Sequence, residues 1–167
     1  MILGIDPQRT LIATHLRGVD GKTADWRTFY LKKKSAFKGA QSWQTYIHEK
    51  CFEILEDYAT YHHIRLVVIE QQRGRINSII EQSLLVCCMA LELEASIMHP
   101  LKWKSLSGVS CKGSNKKNKD HVEQMVSSAL EEYFSQKGEK LPKRIHDLCD
   151  AYLLSEAGRI ESNLKCT

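Results

Sequence analysis

The sequence has no apolar run long enough to cross a bilayer, which takes about 20 consecutive apolar residues in a helix. Its opening, Met1 to Asp6, is apolar and closes on an acid, without the basic start and small-residue cleavage site of a secretory leader. An intracellular protein with no membrane partner is therefore expected. Cysteine is present but unpatterned: Cys51, Cys87, Cys88, Cys111, Cys149 and Cys166 form no C-x-x-C pair and no zinc-ligand spacing. Most are expected to be reduced thiols, and Cys87 and Cys88, inside an apolar stretch, read as small hydrophobes. Internal repeats and low-complexity tails are also missing. One stretch lacks negative charge altogether. Between Leu101 and Asp120 every charged residue is basic, namely Lys102, Lys104, Lys112, Lys116, Lys117 and Lys119. The net charge is only +4, so this concentration is more informative than the total. It is either a solvated loop or a phosphate-binding one.

What is present fits one compact domain over residues 1–167, long enough for a single core and too short for two. A hydrophobic share of 43% and a charged share of 26% are those of an ordinary soluble protein. Met1 to Asp6, Leu11 to Leu16 and Ala24 to Leu31 read as strands, with Asp20-Gly21 as a hairpin signal between the last two. Trp43, Tyr46, Ile47, Cys51, Ile54, Leu55 and Tyr58 recur at spacings of three and four and place a helix over Ser42 to Tyr61. Trp26 and Trp43 read as core at these spacings, rather than as nucleic-acid stacking platforms. Arg65 to Glu70, around Leu66-Val67-Val68-Ile69, has the continuous apolar character of a strand buried on both faces. Ile76 to Leu93 is a helix apolar on nearly all sides, which must bury more than one face. Ala95 to Met98 is compatible with a further strand, ended by His99-Pro100. Helices over about Lys119 to Phe134 and Ile145 to Glu161 complete an order that builds a mixed sheet flanked by helices.

Four acids fall where such a sheet would bring them together. Asp6 ends the first strand, Glu70 ends the buried strand, and Asp147 and Asp150, three apart, share a face near the start of the last helix. A carboxylate at the end of a buried apolar strand loses hydration unless it is paired or metal-bound. Each of the four has an ordinary explanation taken singly, and helix starts favour acids. Together they suit hard divalent cations with oxygen ligands, the chemistry of phosphodiester cleavage without a protein nucleophile.

Gly4-Ile5-Asp6-Pro7, Val68-Ile69-Glu70-Gln71, Lys119-Asp120-His121-Val122-Glu123-Gln124-Met125-Val126 and His146-Asp147-Leu148-Cys149-Asp150-Ala151 resemble the successive motifs of RuvC-type Holliday junction resolvases, in that family's order and over almost the whole chain. Ile69-Glu70-Gln71-Gln72-Arg73-Gly74-Arg75 is most similar to the poxviral and fungal mitochondrial branch. The resemblance implies a ribonuclease H-like fold with a mixed five-stranded sheet flanked by helices. It implies metal binding by Asp6, Glu70, Asp147 and Asp150, two Mg²⁺ ions per site with Mn²⁺ as a substitute, and a catalytic Lys119 that contacts phosphate. It further implies resolution of four-way or branched DNA by a homodimer, whose two-fold axis pairs two sites through the Ile76 to Leu93 helix.

Lys102, Lys104, Lys112, Lys116 and Lys117 are expected to bind DNA, together with Gln72, Arg73 and Arg75 in the turn where bacterial members place an aromatic wedge. The chain also carries Gln8 where many members have glycine. His146 stands outside the expected catalytic set, since a histidine beside a helix start more often caps it or faces solvent. The same carboxylates would serve a nuclease of other branched DNA or of RNA–DNA hybrids. A non-catalytic branched-DNA-binding protein of this fold would be marked by a missing carboxylate, and none is missing.

Overall fold

A computed structural model describes residues 1–109, 115–142 and 144–165, without the side chains of 115–118, 164 and 165. Strands β1 (Ile2–Gln8), β2 (Leu11–Arg17) and β3 (Thr23–Tyr30) form an antiparallel meander. The β2–β3 turn closes through Gly18 N–H donating to Lys22 O at 2.8 Å, and Gly21 adopts the positive φ of 82° that its turn needs. A 3-10 turn at Lys34–Ala36 leads into α1 (Ala40–Tyr61). Next come β4 (Leu66–Glu70), α2 (Arg75–Ala90), β5 (Ala95–Met98), α3 (Pro100–Leu106), α4 (Asn115–Gln136) and α5 (Ile145–Lys165). The sheet order is β3-β2-β1-β4-β5, with β4 parallel to both β1 and β5. This is the mixed, helix-flanked sheet expected from the sequence.

Alternation along the strands builds two cores. Leu3, Ile5, Ile12, Leu16, Val67 and Ile69 meet Trp43, Ile47, Leu55, Ile80 and Leu84 of α1 and α2 on one face. Ile2, Leu11, Ala13, Leu66 and Val68 meet α3, α4 and α5 on the other. Trp26 and Trp43 are both buried, as read from their spacing. Cys51, Cys87, Cys88 and Cys149 are buried free thiols. The stretch after Met98 departs from expectation. Read as a loop because Pro100 follows the strand, it forms α3, with Pro100 in the first turn and His99 Nδ1 accepting from Leu101 N–H at 3.1 Å. A proline there forfeits no helical hydrogen bond. Among the described residues no helix is long and apolar enough to cross a membrane.

Helix α5 lies tightly across β1, and glycine makes this possible. A Cβ on Gly4 would stand 2.3 Å from Ala151 O and 2.6 Å from Ser155 N; one on Gly158 would stand 2.5 Å from Val68 Cγ2. These two contacts set α5 antiparallel to β1, its first turns at the C-terminal end of β1.

Candidate active site

Gly4 and Asp6 share one face of β1, two residues apart, so the face that receives α5 also carries the aspartate. Glu70 ends β4 on the same face. The register Ile5↔Ile69 sets the two acids side by side, and the start of α5 brings Asp147 and Asp150 over them. The proton affinity of Asp6 is raised well above the usual carboxylate range, first by complete burial and then by the nearby charges of Glu70, Asp150 and Asp147. Burial, Glu70 and Asp147 likewise push Asp150 up to about 7, against the opposing pull of Lys104 and Lys119. Asp147 is raised by burial, which outweighs Arg144 and Lys119. The four carboxylates are therefore electrostatically one group.

Their hydrogen bonds show how two of them are held. Asp6 Oδ1 accepts from Gln8 Nε2 at 2.8 Å and from Gln72 Nε2 at 3.5 Å, while Oδ2 is buried with no partner. Glu70 is gripped at both oxygens, by Trp103 Nε1 at 3.0 Å and Gln72 Nε2 at 3.0 Å. Gln72 is itself fixed twice: its Oε1 accepts from Asn77 Nδ2 at 3.1 Å, and its backbone N–H donates to buried Glu81 at 2.5 Å. Arg144 Nε lies 2.8 Å from Asp147 Oδ2. Of these, Gln8 stood out in the sequence only as a departure from the family's glycine, and Trp103 only as an aromatic between Lys102 and Lys104; Asn77, Glu81 and Arg144 did not stand out.

The expected DNA-binding residues divide. Arg73, in the β4–α2 turn, and Arg75, at the first position of α2, are exposed. Gln72 is turned inward onto Glu70 and Asp6, because two carboxylates side by side need neutral donors between them. Lys104 and Lys119 lie within electrostatic range of Asp150, and Lys119 is exposed at the start of α4. Lys102 is directed away from the site, its Nζ donating to Glu161 at 2.6 Å far along α5. Lys112 lies outside the described residues, as do the side chains of Lys116 and Lys117 in the first turn of α4. His146 Nδ1 lies 3.2 Å from Glu123 Oε2.

A buried carboxylate oxygen without a donor is costly, and Asp6 Oδ2 is such an atom, surrounded by three further acids. That donor set fits a hard divalent cation. Among the described residues, however, no three acidic, histidine or cysteine side chains are gathered closely enough to form a finished shell. The carboxylates share a field, not a coordination sphere, and Gln72 Nε2 bridges Asp6 and Glu70. Another constellation is chemically inert. His15 Nδ1 and Ser155 Oγ, 2.6 Å apart, would suit a nucleophile and base, but both are fully buried between β2 and α5, and Ser155 donates to Tyr152 O. Burial, with Arg17 nearby, also holds His15 well below its ordinary proton affinity.

This sheet order with its flanking helices is the ribonuclease H-like fold in its RuvC-like form. The chain is similar to the Thermus thermophilus RuvC structure at 16% identity, covering 98% of this chain and 96% of that one with a TM-score of 0.67. T. thermophilus RuvC in complex with Holliday junction substrate matches at 15% identity, over 98% and 94%, with a TM-score of 0.64. The yeast mitochondrial Holliday junction resolvase Ydc2 matches at 15% identity, over 99% and 80%, with a TM-score of 0.65. No family model and no curated protein sequence matches.

Proposed function

We propose that the protein is a structure-selective endonuclease that resolves four-way DNA junctions. The carrying observation is the buried Asp6 at the centre of four mutually charged carboxylates, on a fold similar to known junction resolvases. Asp6, Glu70, Asp147 and Asp150 would hold Mg²⁺, or Mn²⁺ in its place. Two such ions, when bound, supply an activated water and stabilise the leaving oxygen of a phosphodiester. The chain's own contribution is orientation. Trp103 and Gln72 fix the plane of Glu70, Gln8 and Gln72 hold one oxygen of Asp6, and Lys104 and Lys119 draw phosphate towards the group.

Paired incision requires two sites. Helix α2 buries Ile80, Leu84, Cys87 and Cys88 inward but leaves Val86 and Met89 exposed by 53% and 78%. Together with partly buried Ile79, these form an apolar stripe that supports an isologous α2 contact in a homodimer. The test is cleavage of a four-way junction, a linear duplex and an RNA–DNA hybrid with Mg²⁺, using Asp6→Asn and Asp150→Asn as controls. Mg²⁺-dependent paired nicks on the junction, abolished in both variants with junction binding retained, are expected. Preferential cleavage of the hybrid would replace the resolvase reading with a ribonuclease one.

A further inference from the structure

Opposite charges are unevenly paired over this molecule. Away from the carboxylate end of the sheet several cations are engaged by acids: Arg17 by Glu156, Lys22 by Asp20, Arg27 by Asp25 and Asp57, Lys50 by Glu53, and Lys137 by Asp25. The connection from β3 to α1 is different. Lys32, Lys33, Lys34 and Lys38 fall within seven residues, all four are exposed, and among the described residues none has a carboxylate within ion-pair distance. Four uncompensated cations so close together repel one another, and in free solution the chain would spread them.

Here the backbone prevents it. Lys32 N–H donates to Tyr46 Oη at 3.1 Å, Trp43 Nε1 donates to Lys32 O at 3.4 Å, and Ser42 Oγ donates to Lys38 O at 3.4 Å. The 3-10 turn and the Phe37–Tyr46 ring contact, 5.0 Å between centroids, hold the middle. The strip is thus anchored to the first turns of α1. Its location follows from the strand directions. β3 runs parallel to β1, so Tyr30 ends at the same edge as Gln8, and the lysines emerge beside the carboxylates, about two strand spacings or ~10 Å to one side. Thr10 joins the two regions: its carbonyl accepts from Leu31 N–H at 2.8 Å and its hydroxyl from Arg144, the partner of Asp147, at 3.0 Å.

We propose that Lys32, Lys33, Lys34 and Lys38 bind the phosphate backbone of a DNA duplex arm that leaves the carboxylate cleft over the β1–β2 hairpin. Lys104 and Lys119 lie on the α5 side of the cleft, so this strip supplies the grip on the opposite side, and a duplex crossing the sheet end is held at both flanks. The strip rests on the nuclease reading only in taking DNA as the polyanion.

The experiment measures salt-dependent binding of the full chain and of a Lys32→Ala, Lys33→Ala, Lys34→Ala, Lys38→Ala variant to a four-way junction. Each lost phosphate contact lowers the slope of log affinity against log salt by about 0.9, so raising salt from about 50 to about 200 mM should cost the unmodified protein roughly 100-fold more affinity than the variant. Cleavage at saturating DNA should be unchanged. An equal salt slope in both proteins, with junction binding intact, overturns the strip and leaves the nuclease reading standing. Absence of any DNA binding by the unmodified protein overturns both. Lysine-dependent binding to phosphatidylserine–phosphatidylcholine vesicles with no change in the DNA slope overturns the DNA assignment in favour of a membrane surface.

Discussion

Replacing Asp150 by asparagine should stabilise the ion-free protein, with a gain that grows from about pH 4 and is complete by about pH 7. In the folded state Asp150 titrates near 7, raised by burial and by Glu70 and Asp147, whereas in the unfolded chain it titrates in the ordinary range near 4. A carboxyl whose proton affinity rises on folding contributes its full stability below the unfolded value, and that stability is lost as pH climbs to the folded value. Between about pH 4 and about pH 7 the displacement corresponds to roughly 4 kcal/mol for an isolated group. Coupling to Asp6, whose proton affinity is also raised, shares that cost across the cluster, so about 2–3 kcal/mol is expected for the single substitution. For a domain of this size that is roughly 4–12 °C in melting temperature. Thermal melts in EDTA at pH 5 and pH 8 should show the unmodified protein losing stability with pH and Asp150→Asn retaining it. Mg²⁺ should restore the unmodified protein at pH 8 and help the variant little. A melting temperature that does not fall between pH 5 and pH 8, or no gain in Asp150→Asn at pH 8, would refute the convergence of the acids.

Further substitutions probe the parts separately. Trp103→Phe keeps the ring but removes the donor to Glu70 Oε1; chemical denaturation should show a loss of about 1–3 kcal/mol, and single-turnover cleavage should slow. Gln72→Ala should slow cleavage while leaving junction affinity within about twofold, since its amide faces Glu70 and Asp6 and contributes no phosphate charge; equal losses in both would return Gln72 to the DNA surface. Gly4→Ala must push α5 off β1 and should lower stability by about 1–3 kcal/mol or more, read by urea unfolding. Met89→Lys should turn a dimer into a monomer in light scattering, with single unpaired nicks on a cruciform plasmid.

Periodicity carried most of the architecture. The alternation from Met1 to Leu31 and the apolar run before Glu70 gave strands, and the three-and-four spacing of Trp43 to Tyr58 gave α1, because each pattern reflects burial on one side of an element. Helix α3 was hidden because Pro100 both follows a strand and starts a helix, and the residue alone does not distinguish stopping from starting. In the site, the four acids were legible because a charge at the end of an apolar strand is conspicuous. Their supports were not. Gln72 reads as a polar turn residue until the fold turns it inward, and Lys102 is indistinguishable from Lys104 until Glu161 arrives from the far part of α5. Such assignments depend on contacts distant in sequence, which no local pattern records.

The close seat of α5 on Gly4 has a consequence for the order in which the molecule acquires its chemistry. Asp6 and Glu70 are in place once the central strands pair, but their two companions arrive on the final helix, delivered by a contact at the opposite end of the chain. During synthesis, a chain that has already folded its sheet still lacks half of its acid set. The charge that opposes docking is also the charge that a cation would relieve, so the last folding step and the binding of any such cation would be thermodynamically linked. If the protein is the nuclease proposed, a partly made chain cannot yet cut DNA, and no inhibitor is needed.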